Sequence, residues 1–158
     1  MSVAIIDYGM GNLISVKRAF EECDAVVRIA ANPAELNGAS HIVLPGVGAF
    51  ADGMSALDRL GWAEALRQIV EQGNASILGI CLGMQLLASE GREGGVTNGL
   101  GLIPGIVEKL QPTEQNERIP HVGWNELWIN KSSSLFEGIE DKSDYYFVHS
   151  FHFEPEDS

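Results

Sequence analysis

From Val3 to Ala88 short apolar runs alternate with amphipathic stretches of helical period, and few folds accept that order. Val3–Asp7 is an apolar run closed by the turn Tyr8–Gly11, and reads as a buried strand. Asn12 is placed to cap the helix that follows, where Leu13, Val16, Phe20 and Cys23 share one face. Val26–Ala30 reads as the second strand. His41–Leu44 is the third and runs into Pro45-Gly46-Val47-Gly48. A helix is expected around Gly61–Gln72, with Trp62, Ala65, Leu66, Ile69 and Val70 inward. Ser76–Ile80 reads as the fourth strand, and Leu82–Ala88 as the helix behind it. Apolar strands separated by amphipathic helices predict an α/β fold, a mostly parallel sheet with helices on both faces.

From about Gly99 the texture changes. Short β-like runs, Ile106–Leu110, Leu127–Ile129, Tyr145–His149 and Phe151–Phe153, are separated by polar stretches with no strong helix among them. They predict an antiparallel extension of the same domain, and 158 residues fit a single domain. A net charge of −12 argues against nucleic acid, whose binders present a basic face, and against an anionic membrane surface. Two cysteines, Cys23 and Cys81, make no disulfide framework, and no His pair stands at ligand spacing, so no metal is expected. No basic leader precedes the first strand and no run is long enough to span a bilayer, so the chain reads as cytoplasmic.

The chemistry is concentrated in Gly79-Ile80-Cys81-Leu82-Gly83-Met84-Gln85, a G-x-C-x-G between a strand and a helix. A sharp strand-to-helix turn holds its central residue in a strained backbone conformation, and flanking side chains would collide there. Gly79 and Gly83 remove them. A thiol at that point faces the helix N-terminus, which favours thiolate, and the Leu82 N–H can point at an oxyanion. Pro45-Gly46-Val47-Gly48-Ala49-Phe50 also follows a strand. It therefore belongs to the same carboxyl edge of the sheet, where it can offer a second N–H to that oxyanion.

Other features carry less. Gly9-Met10-Gly11-Asn12-Leu13-Ile14 imitates a dinucleotide fingerprint, but Ile14 stands where the third glycine belongs. The second strand ends in Ala31-Asn32, without an acidic ribose partner. Nucleotide binding is rejected there. His41 opens a strand at the end opposite the elbow and reads as structural. His121, His149 and His152 could each serve as a base on spacing alone, and none is favoured.

Together these residues resemble the class I glutamine amidotransferases, and among them the glutaminase-subunit family of imidazole glycerol phosphate synthase. The resemblance is carried by the opening Asp7–Leu13, the Pro45–Phe50 loop, Gly79–Leu87, Pro120-His121-Val122-Gly123-Trp124-Asn125 and Tyr145-Tyr146-Phe147-Val148-His149-Ser150. It implies a flavodoxin-like core and a glutaminase that needs no cofactor and hydrolyses L-glutamine through Cys81. It also implies that Gly46, Val47, Gly48 and Leu82 hold the oxyanion. Gln85, Glu93, Ser150 and Phe151 would then bind the polar groups of glutamine. Asn12, Trp124 and Tyr146 would lie at the interface with a (β/α)8-barrel cyclase, which receives the ammonia and makes imidazole glycerol phosphate for histidine synthesis.

One departure accompanies the resemblance. The family completes its triad with a His-x-Glu, in an F-H-P-E context, after the V-H-S segment. Phe151-His152-Phe153-Glu154 has that spacing but follows Val148-His149-Ser150 at once, so the triad roles are not carried onto His152 and Glu154. The expectation is one amidotransferase domain over residues 1–158, truncated at its C-terminus and slowed by orders of magnitude for lack of a base. Two rival readings remain at this stage. One is a thiol hydrolase or chaperone of the related superfamily, the other a catalytically incomplete module that only binds a cyclase.

Overall fold

The computed structural model describes residues 2–112 and 118–157. The chain divides into two compact units, Met1–Glu108 with Phe153–Ser158, and Lys109–His152.

In the first unit β1 (Ser2–Ile6), β2 (Val26–Ala30), β3 (His41–Leu44) and β4 (Ser76–Gly79) form a parallel sheet in the order β2-β1-β3-β4. Strand β1 lies between β2 and β3, with Val3 opposite Val27 on one side and His41 on the other. Its residues Val3–Ile6 are buried without interruption, as are Ile42–Leu44 of β3, because parallel strands are covered on both faces. On one face, Val3, Ile5 and Val43 pack against Leu13, Val16 and Phe20 of α1 (Leu13–Glu22). Asn12 starts that helix as anticipated, its Oδ1 accepting the Ser15 N–H at 3.1 Å. Cys23, expected on the inward face, is the C-cap residue and is exposed.

On the opposite face Ile42 shares a cavity wall with Ala65 and Ile69 of α3 (Trp62–Gln72). Glycines with left-handed φ of +75° and +65°, Gly61 and Gly73, delimit that helix. The sequence pattern indicated only this helix between β3 and β4, yet α2 (Phe50–Arg59) precedes it. Gly53 in the middle of α2 weakens the local signal. Its missing side chain is what admits the neighbouring segment, since a Cβ there would stand 3.0 Å from Leu86 Cδ1. The helix after β4 is shorter than expected. α4 is Leu82–Gln85, continued to Ala88 by tight turns in which Leu87 N–H donates to Met84 O and Ala88 N–H to Gln85 O.

A second sheet, in this unit except for Lys109, Phe151 and His152, has the order β10-β7-β5-β6, from β5 (Glu90–Gly91), β6 (Thr97–Asn98), β7 (Gly105–Lys109) and β10 (Phe151–Pro155). β5 pairs antiparallel with β6 but parallel with β7. The other unit is built on an antiparallel ribbon, β8 (His121–Leu127) with β9 (Ser143–His149). Pro120–Asn125, which lies outside the β-like runs read from the sequence, is therefore largely strand, and Leu127 is its end and not its beginning. Both faces of the ribbon are largely solvent-facing, so its residues lack the apolar alternation that marks a half-buried strand.

Candidate active site

The carboxyl ends of β1, β3 and β4 deliver three loops to one edge of the parallel sheet, the edge where open α/β sheets bind ligands. Cys81 follows β4 there with φ 54° and ψ −117°, a region that a side chain other than glycine's rarely occupies. Such a conformation costs on the order of 1–3 kcal/mol and persists only where its surroundings impose it. They do so here. A Cβ at Gly79 would collide with the Met84 backbone, and a Cβ at Gly83 would collide with Leu44 O. The Ile80 N–H donates to Leu44 O at 2.9 Å, extending the sheet one residue beyond β4 and fixing the turn. The thiol is exposed at the crest.

Leu82 is buried and its N–H opens the helical turn, where first-turn donors have no intrahelical acceptor. With only four residues, α4 supplies little of the dipole that was expected to act on the thiol. Gln85 lies one turn beyond Cys81, and its N–H donates to Cys81 O at 3.2 Å, so both residues share a face.

The Pro45–Ala49 loop stands over this turn. A Cβ at Gly46 would lie 2.8 Å from the Gly83 N, and one at Gly48 (φ +122°) would lie 2.8 Å from Met10 Cε. Among the described residues the N–H groups of Gly46, Val47 and Gly48 donate to no backbone acceptor, leaving them available to an anion. Val47 is exposed.

Glu93 has a position that its loop context did not foretell. Its Oε2 accepts the Phe50 N–H at 2.8 Å, capping α2 where Ala49 offers no side-chain cap. Gly91 lies so close to the Phe50 ring that a Cβ would stand 2.5 Å from it. The segment Gly91–Glu93 thus anchors the far end of the glycine loop. Tyr8 was also passed over, being read as part of a turn. It is 1% exposed, and burial first and the Cys81 charge second push its hydroxyl well above the ordinary phenol range.

The remaining sequence candidates are not on these three loops. His41 bonds Ser40 Oγ at the amino end of β3, away from the elbow. Ser150 and Phe151 lie in the second unit, where Ser150 O accepts the Leu110 N–H. So does the pair His121–His149, with Nδ1 of one 3.0 Å from Nε2 of the other. Because His149 Nδ1 faces the Phe151 carbonyl at 2.9 Å, it must donate, and in the neutral ring Nε2 then accepts from His121. The basic nitrogen of His149 is therefore already engaged. Nδ1 of His152 is buried without a partner. Trp124 and Tyr146 face each other across the ribbon, ring centroids 5.6 Å apart, 72% and 56% exposed. Asn12 is committed to its cap.

Comparison with known proteins gives the family of the chain. The family model "Glutamine amidotransferase class-I" matches residues 4–158. The chain is 52% identical over 150 residues to "Imidazole glycerol phosphate synthase subunit HisH 1" of Campylobacter jejuni strain 81-176, covering 95% of this chain and 74% of the relative. It is 45% identical over 153 residues to "Imidazole glycerol phosphate synthase subunit HisH" of Moorella thermoacetica, covering 97% and 71%. Among solved structures, that of PurLQS from Thermotoga maritima superposes with a TM-score of 0.71 at 18% identity, over 99% of this chain and 70% of that one. At that identity it speaks for the fold alone.

Proposed function

This chain belongs to the class I glutamine amidotransferase family, within it to the glutaminase subunits of imidazole glycerol phosphate synthase, and from that premise we propose that Cys81 is the nucleophile that hydrolyses L-glutamine. The observation that carries the assignment is the left-handed backbone of Cys81, imposed by Gly79 and Gly83 at the ligand-binding edge of the sheet. The family match runs through both compact units, and we read residues 1–158 as one amidotransferase domain.

In this mechanism the thiolate attacks the side-chain amide carbon, forming a C–S bond and a tetrahedral oxyanion. The N–H groups of Leu82 and of the Gly46-Val47-Gly48 loop are the donors for that oxygen. Collapse of the intermediate breaks the C–N bond, ammonia leaves with an added proton, and water cleaves the resulting glutamyl thioester to glutamate and free thiol. Gln85, Glu93, Ser150 and Phe151 hold the polar ends of glutamine. Glu93 does so while anchoring the loop through one oxygen. The general base and its carboxylate are assigned to no residue of this sequence.

Ammonia is useful to a synthase only if it reaches its acceptor unprotonated, which requires a partner to receive it. The relatives are named as subunits. A (β/α)8-barrel cyclase is the proposed partner, in the cytoplasm, with Asn12, Trp124 and Tyr146 at the interface. The exposed face of the ribbon, with Val122 and Val148 beside the two aromatic rings, supports that placement, since such patches mark interaction surfaces. Among the described residues no helix is long and apolar enough to cross a membrane. The test is glutamate release from L-glutamine by the full chain mixed with a cyclase barrel and the cyclase's nucleotide ligand. Cys81→Ser should remove it, and release that survives this substitution refutes the assignment.

A further inference from the structure

We propose that His121 and His149 form a binding site for a divalent transition-metal ion of the copper(II) class, held by one ring nitrogen from each. They stand 28 residues apart, so no ligand spacing in the sequence betrays them. The ribbon makes them direct cross-strand partners, His121 at the start of β8 and His149 at the end of β9. Nδ1 of His121 and Nε2 of His149 then face each other at 3.0 Å. Cross-strand partners share a face, and this one is opposite the face that carries Val122, Trp124, Tyr146 and Val148. Both histidines are half-buried, so an ion reaches them from solvent.

The geometry selects the ion. With metal–nitrogen bonds of about 2.0–2.1 Å, a separation of 3.0 Å subtends about 94° at the metal. That is the cis angle of a square-planar or tetragonal centre, which copper(II) and nickel(II) prefer, and copper(II) binds such donors more tightly. A tetrahedral zinc would need the nitrogens about 0.3 Å further apart. His149 Nδ1 donates to the Phe151 carbonyl at 2.9 Å, the backing bond that metal-bound imidazoles make, and this leaves Nε2 as the ligand atom. His121 lies against Phe147, ring centroids 5.1 Å apart and planes 20° from parallel, so its ring is oriented before any ion arrives. Phe147 pairs with Gly123, which has no side chain to hold the ring away from His121. Neutral rings release no net proton on binding. The proton on His121 Nδ1 moves through solvent to Nε2 of the same ring, and the two facing lone pairs turn to the ion. Among the described residues the pair belongs to no group of three or more metal-ligating side chains, so water completes the coordination. The ion bridges β8 and β9 at the end of the ladder away from Leu127 and Ser143, stapling the open end of the ribbon.

The test is calorimetric titration with copper(II) chloride of the full chain carrying Cys23→Ser and Cys81→Ser, so that neither exposed thiol competes for the ion or reduces it. One ion should bind per chain and give a tetragonal electron paramagnetic resonance spectrum with two nitrogen ligands. His121→Ala and His149→Ala should each weaken binding by at least about 100-fold, since losing even an outer partner of a metal ligand costs up to about that much. His41→Ala, in the parallel sheet, should leave binding unchanged. Unchanged binding in either ribbon variant overturns the inference, because a single imidazole then suffices. Should those variants fail to fold, substoichiometric copper(II) must broaden the imidazole resonances of His121 and His149 before those of His41, and equal broadening of all three overturns it. The outcome is independent of whether Cys81 is the nucleophile.

Discussion

Gly83→Ala tests how the elbow is built. The new Cβ would collide with the Leu44 carbonyl oxygen and lie 2.7 Å from its carbon and 3.1 Å from the Pro45 carbonyl carbon. Ordinary contact begins at 3.4 Å, so the carbon alone is about 0.7 Å too near. All three atoms are backbone, and no rotamer change relieves them. α4 must lift from the end of β3, and the Ile80 N–H to Leu44 O bond, 2.9 Å in the structure, is the first to lengthen. Overpacking costs about 1–3 kcal/mol and a buried amide losing its partner about 1–3 kcal/mol more, a loss of about 2–6 kcal/mol. For a chain of this length that is a fall in Tm of about 5–20 °C. Urea unfolding followed by circular dichroism would read the stability, and glutamate release from the partner complex the activity. Stability should fall by that amount, and activity should fall further than unfolding explains, because Cys81 and Leu82 move with the turn. A Gly83→Ala chain within about 0.5 kcal/mol of the parent, with an unchanged m-value, would refute the packing argument.

Other perturbations address other links. Cys81→Gly relieves the left-handed backbone and should raise stability by about 1 kcal/mol while abolishing turnover, read by thermal melting and glutamate release. Glu93→Ala removes the acceptor for the Phe50 N–H and should cost about 1 kcal/mol in urea unfolding. Glu93→Gln, which keeps an acceptor, should cost less. Tyr8 loses its proton in the unfolded chain near the ordinary phenol value of 10.0 but keeps it in the folded chain well beyond that, because burial opposes the phenolate. Its contribution is therefore complete below pH 10 and declines as pH rises further, by up to about 1.4 kcal/mol per pH unit. Tyr8→Phe should flatten the alkaline limb of the stability profile. Trp124→Ala and Tyr146→Ala should each weaken cyclase binding about 10- to 100-fold by titration calorimetry, leaving the melting temperature within a few degrees.

The strand–helix alternation, the parallel sheet and the nucleophile turn could be read from the chain because each is written in local terms. Apolar runs such as Val3–Ile6 and Ile42–Leu44 have no polar alternation to hide, and G-x-C-x-G needs only its neighbours to be strained. What escaped depends on residues far apart in sequence. Helix α2 carries Gly53 at its centre, a local fault that becomes a fit only against Leu82 and Leu86. The strand over His121–Leu127 is defined by its ladder to Ser143–His149, since neither face is buried enough to pattern it. Glu93 looked like a loop carboxylate until the fold brought it to the Phe50 N–H, 43 residues away. Tyr8 looked like a turn residue until the fold buried its hydroxyl against Gly46 of the loop after β3. The sequence by itself determined where the strained turn at Cys81 falls, because such a turn is a property of consecutive residues. The tertiary structure decided what surrounds that turn, because burial and close approach are properties of distance.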